Sequence, residues 1–323
     1  MTATFSCSAR SAQPKDQPNT GGIRNTISGW LIAYGQLARV QIMRVENQKY
    51  LANWVGNRIE MTDVISAKTA TLMQSILPEA KPLATGDTLP PLWQWLYFHT
   101  PVPLAELGRD GHPKNGGFLP PISLPRRMWA GSQLECMGDL RIGEEITKRS
   151  TIRKVEPKIG KSGALCFVTV QHEFLRSETN LWTEQQDIVY REAAVHGQEQ
   201  PAPVPCPQEH TDYELVTPSA VMLFRYSALT FNGHRIHYDR DYTREAEGYP
   251  DLVFHGPLTA TLLADFALRK STGLLRGLTC RAVSPLFGTE PFGIFLNRKP
   301  GLTTAWARTP SGGLGMQVEA VFA

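Results

Sequence analysis

Sixteen residues, FRYSALTFNGHRIHYD from Phe224 to Asp239, gather Tyr226, Ser227, Asn232, His234, His237 and Asp239 around Gly233, a residue that permits a tight turn. An imidazole titrates near neutrality and can take up or return a proton at a reacting atom. Eighteen residues beyond His237 begins HGPLTATLLADFALRK, His255 to Lys270. Gly256 suits a helix cap and Pro257 a first helical position, while Leu258, Leu262, Leu263 and Phe266 recur at helical spacing. The Gly256 N–H then lacks an intrahelical acceptor and is available to a developing anion.

Three chemistries fit these residues. In the plainest, His234 and His237 are satisfied turn residues and His255 an incidental neighbour of a cap. In the second, His237 and Asp239 form an HxD pair and His255 adds a third ligand, as in non-haem iron oxygenases. Only fifteen residues separate Asp239 from His255, too few for the strands that usually intervene, so no metal is expected. In the third, His237 is a general base and Gly256 an oxyanion donor. The clustering of so many polar groups in one segment favours this last reading.

The elements that must hold the segment follow from periodicity. Apolar residues between Met61 and Leu77 predict a helix, capped by Thr62 or Asp63 and stopped by Pro78. Residues 78–127, rich in proline and carrying Trp93, Trp95, Tyr97 and the turn GRDGHPKNGG, read as a long ordered loop packed by its aromatics. Met128–Met137, Glu145–Glu156, Ala164–Arg176 and Trp182–Arg191 have the period of two of an antiparallel meander. Residues 195–211 are Pro-rich and polar, like a linker. Beyond them come a helix at about 257–270 and strands near 276–284, 291–298, 302–309 and 314–322. A helix followed by a meander, twice, predicts an α+β fold built on a duplicated unit.

Composition narrows the classes further. The 323 residues include 41% hydrophobic and 20% charged side chains, ordinary for a globular chain. A net charge of +3 makes nucleic acid an unexpected partner, though a local basic pocket is allowed. The five cysteines are widely spaced with no CxxC pair, which points to a reducing compartment, and no apolar run is long enough to span a membrane. A cytoplasmic protein is expected. The first 45 residues hold one acid, Asp16, against five basic residues, a bias that fits a plain extension or a mitochondrial transit segment.

The segment resembles the signature of the MaoC-like, R-specific enoyl-CoA hydratases, in which Tyr–Ser leads to Gly–Asp–x–Asn–Pro–x–His and later to His–Gly. Tyr226, Ser227, His237, His255 and Gly256 match it, while Phe231, Asn232, His234 and Arg235 stand where the signature has Gly, Asp, Asn and Pro. With GFLPP and RRMWAGS in the first half, the chain is similar, over about residues 50–323, to a narrower branch. That branch holds the 3-methylfumaryl-CoA (mesaconyl-CoA) hydratases and the type 2 hydroxyacyl-thioester dehydratases.

The resemblance implies a double hotdog: an N-terminal extension over 1–48, disordered or partly helical, a non-catalytic hotdog over 49–194, the linker 195–211 and a catalytic hotdog over 212–323. It implies reversible hydration of an enoyl-CoA thioester, 3-methylfumaryl-CoA to citramalyl-CoA first of all, with no cofactor beyond the CoA of the substrate, no membrane partner and a homodimer. His237, Asn232 and Gly256 are the expected catalytic residues. Tyr226, Ser227, His234, His255, Arg126, Arg127 and Trp129 are expected around the substrate, the arginines to clamp a carboxylate or the CoA phosphates. Trp93, Trp95 and Phe98 are further candidates for the acyl pocket.

An amide at 232 cannot accept a proton at neutral pH. Either His237 carries the proton alone, the preferred route with Asp239 a structural partner, or Asp239 or Tyr226 assists. The alternatives are a dehydratase of fatty acyl chains, an itaconyl-CoA hydratase, and a non-enzymatic acyl-thioester-binding protein.

Overall fold

Alternating β-branched and polar residues pair into one antiparallel sheet in a computed structural model of the chain, which describes residues 50–77, 82–160, 163–193, 202–288 and 290–323. The expected extension over 1–48 lies outside the described residues. The first strands are β1 (Arg58–Val64), β2 (Arg126–Cys136), β3 (Glu145–Gly160), β4 (Gly163–Arg176) and β5 (Thr179–Arg191). After the Pro-rich stretch come β6 (Asp212–Val216), β7 (Leu275–Ala282), β8 (Phe292–Lys299), β9 (Leu302–Arg308) and β10 (Leu314–Phe322). Their spatial order is β1-β3-β4-β5-β2-β7-β10-β9-β8-β6.

Strands before residue 192 therefore neighbour one another, strands after residue 211 do the same, and β2 joins β7 at the seam. Gly131 is required there, because a Cβ at this position would stand 2.5 Å from the Cys280 carbonyl oxygen.

The longest helix among the described residues, α4 (Gly256–Lys270), packs on β9 and β10 with Leu258, Leu262, Leu263, Ala264, Phe266 and Ala267 buried. Each fully buried Leu or Phe on that face contributes about 1.5–3 kcal/mol. In the first half, the expected helix over 61–77 is instead the edge strand β1 followed by α1 (Ala67–Gln74). The sequence RIEMTDV alternates and pairs with β3, so it extends rather than coils, and Ser66 takes the N-cap position. Asp63 caps no helix but accepts the backbone N–H groups of Val64 and Phe98.

Residues 82–125 form no strand of the sheet, and Trp93, Leu96, Tyr97 and Phe98 are buried in the core. Part of the Pro-rich stretch also lies on the sheet: Pro205 bridges Gly313, and Cys206 is buried against Phe295, Trp306 and Leu314. The four cysteines among the described residues are free, and no helix among them is long and apolar enough to cross a membrane.

Candidate active site

Helix α2 (Ala220–Leu229), capped by the Ser219 side chain, carries Tyr226 and Ser227 on its buried face. The chain then turns through Phe231, a bulky residue at φ 49°, where the signature has a glycine. Asn232 closes this turn twice: its N–H donates to the Ser227 carbonyl at 2.8 Å, and its side-chain oxygen accepts the His234 N–H at 3.0 Å. A tight helical turn, Arg235–His237, brings His237 inward. Asp239 accepts the Tyr242 N–H as the cap of α3 (Arg240–Glu245) and pairs with Arg235 at 2.7 Å. The backbone returns through Val253, whose N–H donates to the Ile236 carbonyl, and delivers His255 to the start of α4.

His237, 7% exposed, has its Nδ1 2.7 Å from the Val253 carbonyl oxygen. A carbonyl only accepts, so Nδ1 carries the proton and Nε2 keeps its lone pair. His255 stacks on His237 with ring centroids 3.7 Å apart, and its Nε2 lies 2.8 Å from Ser227 Oγ. The buried Nδ1 of His255 has no partner, and the Tyr226 ring meets the His255 ring edge-on at 5.0 Å. His234 stands perpendicular to His237 at 5.4 Å.

Burial pushes the His237 imidazole down to about 4, against the opposing effect of the Val253 carbonyl. Burial and the neighbouring histidines push His234 and His255 down as well, so these rings are neutral at physiological pH. The start of α4 adjoins them, and Trp129 covers it, since a Cβ on Gly256 would lie 3.3 Å from the Trp129 ring.

Two residues that sequence reasoning missed come from GRDGHPKNGG, read above only as a turn. The Asp110 carbonyl accepts the Arg235 N–H at 2.9 Å, and Gly111 sits so close to Gly233 that a Cβ there would stand 1.9 Å from the Gly233 oxygen. This clamp sets the His112 ring 4.2 Å from that of His234. His112 Nδ1 is 2.8 Å from Asp110 Oδ2. Although burial works to raise the Asp110 carboxyl, its hydrogen bonds from His112 hold it down at about 2. The Asp-x-His spacing with two glycines was the available signal, but nothing local says that it meets residues 233–235.

The remaining expected residues separate. Arg127 lines a cavity of about 280 Å³ together with Arg109, Asp110, His112, Lys114 and Tyr190. Arg126 is buried and paired with Glu247 at 2.8 Å over the Tyr249 ring, so its guanidinium is already engaged. Trp95 donates to Glu184 and meets Trp129 edge-on at 5.8 Å, while Trp93 and Phe98 belong to the core. Asp239 faces Arg235 and does not join His237 and His255 as the iron-type triad requires. A different trio, Asp110, His112 and His234, has one donor atom each within 4.8 Å of the others.

With this geometry in view, the comparisons with known proteins agree with one another. A family model described as hydroxyacyl-thioester dehydratase type 2 matches residues 92–288. The mesaconyl-C(4)-CoA hydratase of Chloroflexus aurantiacus is 43% identical over 243 residues, 74% of this chain and 86% of its own length. The mitochondrial hydroxyacyl-thioester dehydratase type 2 of Schizosaccharomyces pombe is 28% identical over 67% of this chain and 80% of its own. In fold, the chain is similar to a MaoC-like dehydratase from Phytophthora capsici, with TM-score 0.63 and 14% identity over 83% of this chain and 95% of the other. HtdX from Mycobacterium tuberculosis gives TM-score 0.60 and 12% identity over 82% and 100%. The expected α+β double hotdog is the fold found.

Proposed function

The chain belongs to the hydroxyacyl-thioester dehydratase type 2 family, whose members add water to or remove it from acyl thioesters, and from that premise we propose its substrate and the roles of its residues. The reaction is the reversible hydration of 3-methylfumaryl-CoA (mesaconyl-CoA) to citramalyl-CoA. The relationship at 43% identity supports this substrate over a simple fatty acyl chain or itaconyl-CoA.

One observation carries the mechanism. The 2.7 Å hydrogen bond from His237 Nδ1 to the Val253 carbonyl leaves Nε2 as a fixed proton acceptor beside the start of α4. In hydration, the water oxygen bonds to Cβ while one O–H bond breaks and its proton passes to His237 Nε2. The π pair of the double bond moves to the thioester oxygen, which the Gly256 N–H meets. The enolate then re-forms its carbonyl as Cα takes the proton back from the imidazolium. A positioned base contributes about 10²–10⁴ in rate, and a backbone donor of this kind about 10²–10³.

Ser227 steadies His255, and His255 steadies the His237 ring by stacking. Asn232 holds the turn with its carbonyl oxygen, which leaves its NH₂ for the water. Tyr226, His234 and Trp129 wall the site, and Arg127, in the adjoining cavity, meets the free carboxylate of the substrate. Residues 212–323 thus form the catalytic hotdog. Residues 49–194 form the one that shapes the pocket, with 195–211 linking them. A homodimer, no cofactor, and the cytoplasm (or the mitochondrion, should residues 1–48 act as a transit segment) complete the proposal.

Steady-state kcat/KM for 3-methylfumaryl-, itaconyl- and crotonyl-CoA tests it. At least a tenfold preference for the first is expected, and Arg127→Ala should reduce that preference mainly through KM. Equal or better use of crotonyl-CoA makes the fatty acyl chain the substrate instead. Binding without loss of the enoyl-thioester absorbance would make the chain a binder.

A further inference from the structure

An enoyl-CoA hydratase signature with Asn232 in place of Asp lacks one carboxylate, and the first half of the chain contains a carboxylate beside the same turn. Four of the eight histidines form a continuous series: His255 stacked on His237 at 3.7 Å, His237 against His234 at 5.4 Å, and His234 against His112 at 4.2 Å. Ser227 closes one end at 2.8 Å from His255, and Asp110 closes the other at 2.8 Å from His112.

The Asp110–His112 end is held by rigid contacts rather than by chance proximity. The Asp110 carbonyl accepts the Arg235 N–H at 2.9 Å, the Arg109 carbonyl accepts the Arg235 guanidinium at 3.0 Å, and only glycine fits at 111, where φ is 88°. These bonds fasten the loop to residues 233–235, directly beside Asn232. Asn232 cannot itself serve as a base, and its side-chain oxygen is taken by the His234 N–H.

We propose that Asp110, acting through His112, is the carboxylate of this active site, supplied by a loop of the first half of the chain in place of the one that Asn232 does not provide. Asp110 is a positioning residue: it fixes the His112 tautomer with Nδ1–H toward the carboxylate, and the ionised Asp110 offsets the positive charge that arises among the histidines while His237 holds the proton. In the hydration step given above, the same proton leaves water, resides on His237 Nε2 and returns to Cα. One water is consumed, and no oxidant or reductant enters. Removing Asp110 makes the imidazolium costlier without removing a group that binds CoA.

This inference rests on the hydratase mechanism proposed above, and the test keeps the two apart. Wild-type turnover and its loss in His237→Ala test that mechanism regardless of Asp110. For the inference, Asp110→Asn should lower kcat about 100-fold with KM within about threefold. Adding Asn232→Asp to Asp110→Asn should restore at least tenfold, a rescue that a merely structural role would not give. Should Asp110→Asn fail to fold, His112→Gln with its melting temperature measured serves in its place, with the same loss and the same rescue expected. Wild-type kcat in Asp110→Asn, or no gain on adding Asn232→Asp, overturns the proposal. So does wild-type activity abolished by EDTA and restored by Zn²⁺, which would make Asp110, His112 and His234 a metal site.

Discussion

Over β9 and β10 the sheet is covered by a fifteen-residue helix, and at its start stand imidazoles, His255 with a buried Nδ1 left unengaged. In the first half the helix Ala67–Gln74 has only eight residues, and the turn Trp93–Leu96 adds Trp93 and Leu96 to the core. Here a buried carboxylate, Glu184, is fully enclosed. It accepts Ser132 Oγ at 2.6 Å, Trp95 Nε1 at 2.9 Å, Gln94 Nε2 at 3.0 Å and Gln186 Nε2 at 3.2 Å. A carboxylate with four donors around it has its acceptor positions taken up in holding the structure together. His237, bonded at Nδ1, has its Nε2 lone pair open. The difference between the halves is thus which hydrogen-bonding positions stay open, rather than how many polar groups are buried.

Breaking each half should produce opposite phenotypes. Apart from loss of His237 itself, the largest effect is expected from Gly256→Pro, which removes the N–H at the first helical position while keeping a residue that position accepts. Its kcat should fall about 10²–10³-fold, measured by loss of enoyl-thioester absorbance, with the fold retained by circular dichroism. In the other half, Glu184→Ala leaves four donors without their acceptor. Urea unfolding should show a loss of about 3 kcal/mol, while kcat per folded molecule stays within threefold.

The pH dependence of stability sharpens the comparison. His237 is held near 4 by burial, below the value of about 6.5 for an exposed histidine. Between these values the unfolded chain binds a proton that the folded one does not. Stability is therefore fully present above pH 6.5 and falls by about 3 kcal/mol on this account as the pH drops to 4. Urea unfolding at pH 7 and 4.5 should show His237→Gln losing that share of the slope. His172, whose Nδ1 lies 2.8 Å from Ser150 Oγ in the first half, is also pushed down to about 4 by burial, so His172→Gln should flatten the curve as well, without touching kcat. The smallest effect is expected from Phe231→Gly. The left-handed backbone costs a bulky residue about 1–2 kcal/mol, and this ring is 65% exposed, so a gain of up to about 1 kcal/mol should appear in thermal unfolding.

The meander strands and α4 were legible because their periodicity is strong and local: the expected helix at 257–270 spans Gly256–Lys270, and the strands lie within a few residues of expectation. Strand β1 was misread because RIEMTDV runs straight into the apolar residues of α1, and only pairing with β3 separates them. Helix α2 and strand β6 had no independent signal in the reading. Tyr226, Ser227, His234 and His237, which share one segment, lie together, and His255 joins them from the start of α4. Asp110 and His112 could not be found that way, because what brings them in is a Gly111–Gly233 contact across more than a hundred residues. Arg126 and Arg127 were indistinguishable as neighbours in sequence; the alternation of a strand sends one to Glu247 and the other to the cavity.

The most direct test of proton transfer at His237 is the steady-state hydration of 3-methylfumaryl-CoA by His237→Ala alongside the wild type, with melting temperatures for both. A fall in kcat of about 10²–10⁴-fold with an intact fold is the expected result. Wild-type turnover in a folded His237→Ala protein would contradict the assignment.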